Sequence, residues 1–376
     1  MKIVYLANTD WYLYNFRLSL MQAAQDQGHE VLALSPHGPF GDKINEHGIR
    51  WLPVNMDRSG INPLKELKSV WGLSRILRAE QADLVHNFTI KGTLDGSLAC
   101  IAAGTRSRVN AVAGLGFIFT SRSLKARLLR APVRSLLKLS MSGRNTRVIL
   151  QNPDDAKAIQ ETGIASSKHT RLIYGSGVDC NRFTPRRSTQ NDRSMGLLLA
   201  ARMLRPKGIL DFVEASRLLR EEGYRIRFIL AGTPDPGNPD SIDEASIHHW
   251  VEEGLVEWLG HVDDMPSALS SVDAFVLPTY YGEGLPRSLI EAAASGCALI
   301  TTDIPGCREV VTHEVDGLHV PVRNPVSLAA AIRRLHDNPG LVAQLGNAAR
   351  EKAVRLFDEQ IVIRNTLAVY QELFDS

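Results

Sequence analysis

The sequence predicts an α/β protein of two Rossmann-like domains, each a parallel sheet covered by helices on both faces. Three observations carry this. Short runs rich in Val, Ile and Leu, such as "KIVYLA", "EVLALS" and "DAFVLP", show no polar–apolar alternation, the pattern of strands buried on both sides. Helical stretches separate them, as parallel crossovers require. At 376 residues the chain exceeds one average domain, and the alternation restarts after the polar stretch "PRRSTQNDRS".

In order, "KIVYLA" is a strand, "NFRLSLMQAAQDQG" a helix ending at Gly28, and "EVLALS" a strand. "ADLVHNF", "RVNAVAG" and "TRVILQN" continue the series. The break lies near residues 166–195, giving a first domain over 1–167 and a second over 168–357. The second series reads "MGLLLAAR" strand, "GILDFVEASRLLREEG" helix and "IRFILAG" strand, then "DAFVLP", "CALITT" and "GLHVP" with helices between. "FDEQIVIRNTLAVYQELF" closes the chain as an amphipathic helix, assigned as 358–376.

Composition narrows the setting. The chain is 44% hydrophobic and 22% charged, ordinary for a soluble globular protein. Asp10 stands where a signal peptide would need its apolar core, so no export signal is expected. No apolar run approaches the roughly 20 residues that cross a bilayer. Cys100, Cys180, Cys297 and Cys307 are scattered and never in C-x-x-C spacing. They read as reduced thiols of a cytoplasmic protein, not a disulfide frame or zinc site.

The net charge of +2 hides an asymmetry, for Gly96 to Pro153 holds ten Arg or Lys residues and no acid. Within it, Lys125, Arg127, Arg130, Arg134 and Lys138 alternate with Leu124, Leu128, Leu136 and Leu139. This is the composition of a basic helix that lies on an anionic membrane surface; a solvated basic face is the plainer reading. A nucleic-acid face is disfavoured, because no aromatic residue falls between Arg122 and Arg147 to stack a base.

The stretch "EGLPRSLIE" sets Glu283 and Glu291 eight residues apart across a strand-to-helix junction. Gly284 favours a turn and Pro286 the first position of a helix, so Glu283 is expected on the loop and Glu291 within the helix. In open parallel sheets ligands sit at the carboxyl ends of strands, and a carboxylate pair there suits the hydroxyls of a saccharide or nucleotide. Alone, the pair is also explained by a helix-face Glu291 and a Glu283 that meets the helix dipole. "ARMLRPKG" strengthens the first reading. Arg202 and Lys207, followed by Gly208 and a helix N-terminus, have the makings of a diphosphate site.

These residues carry a resemblance. "GSGVDCNRF", "ARMLRPKG", "DGLHVP" and the long run from "GHVDDMPSALSSVDAFVLPTYYGEGLPRSLIEAAASG" to "CREVV" are similar, in order and spacing, to the retaining glycosyltransferases of family 4. The first half, through "YNFRLSL", "DLVHNFTIKGTLDGSLA", "NAVAGLGFIFT" and "QNPDD", resembles the branch that adds sugars to undecaprenyl-diphosphate-linked saccharides, N-acetylgalactosaminyltransferases among them. The resemblance implies the GT-B fold, two facing Rossmann-like domains with the C-terminal helix crossing back to the first. It implies retaining transfer of a hexose or N-acetylhexosamine from a nucleotide sugar, UDP-linked by the likeness, to a lipid-diphosphate-linked saccharide in surface-glycan or glycoprotein-glycan assembly. The enzyme would then work in the cytoplasm, peripheral on the inner face of the plasma membrane.

By the same implication Glu291 holds the ribose hydroxyls and Glu283 contacts the donor sugar near its anomeric centre. Backbone N–H groups around Gly284, Leu285, Pro286 and Arg287 line sugar and phosphate, Arg202 and Lys207 neutralise the leaving diphosphate, and the base rests near His261 and Val262. His86, taken to close its strand, is a second catalytic candidate, with Arg17, taken to begin the first helix, Lys91 and Gly114 on the acceptor side. The family's more usual Gly-Gly in the first loop is replaced here by "NTDWYLYN". No DxD-type metal motif stands at a strand end, so activity is expected without a metal or other cofactor. The adjacent acids Asp263-Asp264 and Asp154-Asp155 read as structural. Rival classes are weaker. An NAD-dependent oxidoreductase needs G-x-G-x-x-G after the first strand, which "YLANTDWYLYN" lacks. A GT-B-fold nucleotide-sugar epimerase or a transferase with a soluble acceptor are the alternatives, and a non-catalytic binder has no reason to retain Arg202, Lys207 and Glu283.

Overall fold

Every strand pairs in parallel, and the strands sort into two sheets. The computed structural model describes residues 1–56, 63–112, 134–185, 194–282 and 284–375. They form two units, Met1–Ser176 with Ile361–Ser376, and Gly177–Gln360.

The first unit holds β1 (Lys2–Leu6), β2 (Glu30–Ser35), β3 (Arg50–Pro53), β4 (Leu84–Phe88), β5 (Ser107–Val112), β6 (Thr146–Leu150) and β7 (Thr170–Leu172), in spatial order β3-β2-β1-β4-β5-β6-β7. Successive residues of β1 go to opposite cores. Ile3 and Tyr5 pack with Leu13, Leu20 and Met21 of the helix Asp10–Asp26. Val4 and Leu6 pack with Leu73 and Leu77 of the helix Pro63–Ala79 and with Ala99 and Cys100 of the helix Thr89–Ala103. Both faces being covered explains why the strands show no polar alternation. The C-terminal helix Glu359–Phe374 buries Val362, Ile363, Val369, Tyr370 and Leu373 in the first of these cores. Its Glu372 carboxylate accepts from Arg147 Nε (3.0 Å) and from Arg171 (2.6 Å).

The first helix begins at Asp10, five residues before "NFRLSL", because Thr9 caps it: its hydroxyl oxygen accepts the Tyr12 N–H at 3.2 Å. The buried Asp10 carboxylate accepts from the backbone N–H groups of Trp11 (2.8 Å), Phe40 (2.6 Å) and Gly41 (3.1 Å), fixing the loop after β2 to the helix start. "DWYLYN" is therefore helical. Also outside the sequence expectations are β3, β7, and the helices Gly41–Glu46 and Pro63–Ala79.

The second unit holds β8 (Gly196–Ala200), β9 (Arg227–Ala231), β10 (Glu257–Trp258), β11 (Ala274–Leu277), β12 (Ala298–Thr302) and β13 (Leu318–Val320), in order β10-β9-β8-β11-β12-β13. All residues of β8, β11 and β12 are buried. Leu197, Leu199, Val276 and Ile300 share a core with Phe212 of the helix Ile209–Glu221 and Ile332 of the helix Pro325–Asp337. The four cysteines are buried and none is in a disulfide. Among the described residues no helix is long and apolar enough to cross a membrane.

Removing the Asp10 carboxylate strands three backbone donors, two of them from another segment. Asp10→Ala is expected to lower unfolding free energy by about 1.5–3 kcal/mol, the range for hydrogen bonds to a charged group. Urea denaturation followed by circular dichroism checks this; a loss under about 0.5 kcal/mol contradicts it.

Candidate active site

In each sheet the strand order reverses once, at β1/β4 in the first unit and at β8/β11 in the second. Chains leaving two such neighbours depart in opposite directions, which opens a crevice at their carboxyl ends.

In the second unit the segment after β8 carries Arg202, then the 3₁₀ turn Arg205–Lys207, then Gly208 at φ 78°, from which the helix Ile209–Glu221 starts. The segment after β11 runs from Pro278 to the helix Arg287–Ala294. Hydrogen bonds join the two. The Pro206 carbonyl accepts the Thr279 hydroxyl at 2.9 Å and the Tyr280 N–H at 3.0 Å. A side chain at Gly208 would overlap the Pro278 carbonyl, and its left-handed φ independently favours glycine. The basic turn and the glutamate loop are thus one structure, although they lie some seventy residues apart in the chain.

Arg202 is 57% exposed and pairs with Asp235, after β9, at 2.6 Å. An ion pair this exposed is worth little, so Arg202 is only loosely held by Asp235. Sequence reasoning missed Asp235, which no motif marks. Lys207 ends the turn, half-buried beside the helix start.

Glu291 lies on the second turn of the helix Arg287–Ala294, with Pro286 one residue earlier than expected, at the N-cap. Arg287 Nε donates to Glu291 Oε1 at 2.8 Å. Burial raises the Glu291 pKa from its ordinary 4.5, and the charges of Arg287 and Arg182 oppose that rise. Arg287 thus contributes a side chain that opposes the rise in the Glu291 pKa, beyond the backbone role expected of it. Leu285 is buried, and Gly284 stands just before it on the loop.

His261 and Val262 lie on the loop after β10, two strands from β8. Gly260 O accepts the Gly232 N–H at 2.6 Å, so this loop is tied to the end of β9. His261 Nε2 lies 3.2 Å from Asp263, and both are exposed. Asp264 caps the helix Met265–Ser270, and Asp155 is bound by Asn152 at the start of the helix Pro153–Glu161.

In the first unit two structural expectations need correction. His86 does not close its strand: β4 runs on to Phe88, and the His86 ring is buried among Tyr5, Phe88 and Tyr370. Its Nδ1 lies 2.6 Å from the Tyr370 hydroxyl. Burial, then the Arg17 charge, hold its pKa well below 6.5, so the ring is neutral. The strand's two extra residues and the aromatic core below it give His86 a packing environment, not an open edge. Arg17 does not begin the first helix but stands eight residues in, buried. Its guanidinium covers the Phe88 ring at 4.5 Å and donates to the Tyr12 hydroxyl at 2.8 Å. Among the described residues no carboxylate pairs with it, and its Nε has no partner. Lys91 is bound by Glu66 and lies 3.7 Å from Asp95, which draws its charge into an acidic pair. Burial first, with Glu66 adding and Lys91 opposing, pushes the Asp95 pKa up to about 7.

Glu283, Gly114, Lys125, Arg127 and Arg130 lie outside the described residues. Arg134 and Lys138 lie on the helix 134–141, where Arg134 donates to the Thr162 carbonyl, Lys138 is exposed, and Leu136 and Leu139 are exposed while Leu137 and Met141 are buried. Among the described residues no three His, Cys, Asp or Glu side chains stand together as a metal site.

Two parallel-sheet units with a basic turn and a buried glutamate at a switch point define the GT-B glycosyltransferase class. Residues 2–152 match the family described as glycosyl transferase 4-like, and residues 195–338 match glycosyl transferases group 1. The chain belongs to these glycosyltransferases. It is 28% identical, over 99% of both chains, to the N,N'-diacetylbacillosaminyl-diphospho-undecaprenol alpha-1,3-N-acetylgalactosaminyltransferase of Campylobacter jejuni. It is 26% identical to the UDP-Gal:alpha-D-GlcNAc-diphosphoundecaprenol alpha-1,3-galactosyltransferase of Escherichia coli, over 85% of this chain and 83% of that one. Among solved structures, a sucrose-phosphate synthase of Thermosynechococcus elongatus shares the fold at TM-score 0.81 and 20% identity, over 100% of this chain and 99% of that one.

The raised Glu291 pKa has a consequence for stability. A carboxyl whose folded pKa lies above its unfolded value binds protons more tightly when folded, so stability falls as pH rises from about 4.5. Glu291→Gln keeps the shape and removes the charge. It is expected to raise Tm at neutral pH, with the gain fading below pH 4.5, and to weaken nucleotide-sugar binding. Thermal melts across pH with calorimetric titration of donor check both; a lowered Tm at neutral pH contradicts the assignment of burial as the main cause.

Proposed function

We propose that this chain is a retaining family 4 glycosyltransferase that moves a hexose or N-acetylhexosamine from a UDP sugar to a polyprenyl-diphosphate-linked saccharide. The observation that supports this most is the hydrogen-bonded seam between the Arg205–Lys207 turn and the loop after β11. It gathers cations and a buried glutamate at adjacent strand ends. The names of the two sequence relatives support the acceptor class, and the second supports UDP. Work at the inner membrane face accords with such an acceptor and with the basic run from Lys125 to Lys138.

In this reading Glu291, held by Arg287, accepts the ribose hydroxyls, and Arg202 leaves Asp235 for the diphosphate beside Lys207. Retention ordinarily calls for a carboxylate nucleophile and a covalent intermediate, for which Glu283 is the candidate. The preferred route is a front-face one. The diphosphate oxygen leaving the anomeric carbon takes the proton of the incoming hydroxyl, and the new C–O bond forms on the same face. The protein contributes position and charge stabilisation.

The deciding experiment offers a panel of nucleotide sugars and lipid-linked acceptors and reads the products by mass spectrometry and anomeric NMR. One hexose or N-acetylhexosamine in α linkage on the lipid-linked saccharide is expected. A converted sugar nucleotide formed without acceptor would instead select the epimerase reading.

Two measurements probe the donor site. Arg202→Ala and Lys207→Ala are each expected to cut kcat/KM by roughly tenfold to a hundredfold or more, each losing a charge-assisted contact worth about 1.5–3 kcal/mol, with Tm unchanged. Parent-like turnover in both sinks the diphosphate assignment. Activity is also expected to survive EDTA, since side chains and a helix N-terminus are proposed to neutralise the leaving group. Loss on chelation with recovery in Mg²⁺ or Mn²⁺ would refute that.

A further inference from the structure

The helix Pro63–Ala79 turns Ser69, Leu73, Ser74 and Leu77 inward, where Leu73 and Leu77 join Val4, Leu6, Leu32 and Val85. Its outer side carries Leu64, Leu67 and Trp71, exposed by 79%, 68% and 60%. At 3.6 residues per turn these three share an arc of about 100° with Lys68, Arg75 and Arg78, and Lys65 stands at its rim. The Arg75 guanidinium lies 4.8 Å from the centre of the Trp71 ring, running its stem along the apolar strip with its charge outward. The helix has one carboxylate, Glu66, and it turns away to Lys91. The outer face is therefore apolar and cationic, with no acid.

Single exposed apolar residues are normal on protein surfaces, but two leucines and a tryptophan in one arc form a patch. Such a patch on a chain of this size meets either a second copy or another kind of surface. A two-fold contact between copies would set Lys65, Lys68, Arg75 and Arg78 against their own like charges, and interface cores are depleted in Lys. An anionic lipid surface satisfies both parts of the face. Leu and Trp enter the boundary of the acyl chains while Lys and Arg meet the headgroups. We infer that the outer face of the helix Pro63–Ala79 docks on an anionic lipid surface, the helix lying in the membrane plane. The inference stands on the exposure and charge of this face and not on the donor or acceptor reading. It names a surface separate from the run Lys125 to Lys138.

The test is co-sedimentation of the full chain with vesicles of phosphatidylglycerol and phosphatidylcholine, beside phosphatidylcholine alone, at low and high salt. Binding to the anionic vesicles that weakens with salt is expected. Lys65→Gln with Lys68→Gln should weaken it on the order of thirtyfold at low salt, from roughly 1 kcal/mol for each cation near the surface. Leu67→Ser with Trp71→Ser should abolish it while circular dichroism stays that of the parent. Vesicles should shift Trp71 emission to the blue, a change missing in Trp71→Phe; this readout and the lysine pair decide the matter if the serine variant does not fold. A parent that ignores anionic vesicles, or a folded serine variant that binds as the parent does, overturns the inference. So does a parent dimer that the serine variant dissociates in analytical ultracentrifugation without lipid, because the face then belongs to a second copy. None of these readouts needs turnover, so their failure is separate from failure of the transferase reading.

Discussion

The Pro206 carbonyl, accepting both the Thr279 hydroxyl and the Tyr280 N–H, is the contact on which the candidate site depends. It locks the end of the β8 segment to the end of the β11 segment, and Gly208 permits the closeness by having no side chain to strike Pro278. With the seam in place, the segments that lead into the helix Ile209–Glu221 and the helix Arg287–Ala294 are tied to each other. The far end of the second helix is held too. The Arg350 guanidinium donates to the carbonyls of Ala294, Cys180 and Phe183, a cation at a helix C-terminus that also ties down the segment entering the unit.

Charge placement in the second unit follows the same logic. Glu291 is buried enough for its pKa to rise, which opposes the ionised form. Arg287, one turn earlier on the helix, opposes that rise at 2.8 Å. A ligand that hydrogen-bonds the carboxylate adds to the same side of the balance. Arg202 has the opposite arrangement, a solvent-exposed pair with Asp235 that holds the guanidinium without binding it strongly.

The first unit carries a different kind of imbalance. Arg17 is a buried cation met by the Tyr12 hydroxyl and the faces of aromatic rings, with its Nε unpartnered and no described carboxylate near enough to pair. Desolvation makes such a charge costly, and the attraction of the guanidinium to the π faces of its rings offsets part of that cost. Lys91 lies at the other extreme, bound to Glu66 and near Asp95, so that it joins the helix Pro63–Ala79 to the helix Thr89–Ala103. The outer face of the former is free to be apolar and cationic because its carboxylate is spent inward.

The sequence alone determined the class of fold, since strands buried on both faces must be apolar throughout and must alternate with helices. It also determined which residue types crowd the strand ends, through "ARMLRPKG" and "EGLPRSLIE", where glycine, proline and charge mark turns that lead into helices. Short edge strands such as β3 and β10 left no periodic signal, and the start of the first helix hung on a cap, Thr9, and on Asp10, whose partners lie thirty residues away. Only the tertiary structure decided that the turn at Pro206 touches Thr279, that Asp235 waits on Arg202, that His86 sinks beneath Tyr370, and that Lys91 is occupied. Each of these is a contact between segments far apart in the chain, and spacing along a sequence constrains a side chain's neighbours within its own element, not those the fold brings from elsewhere.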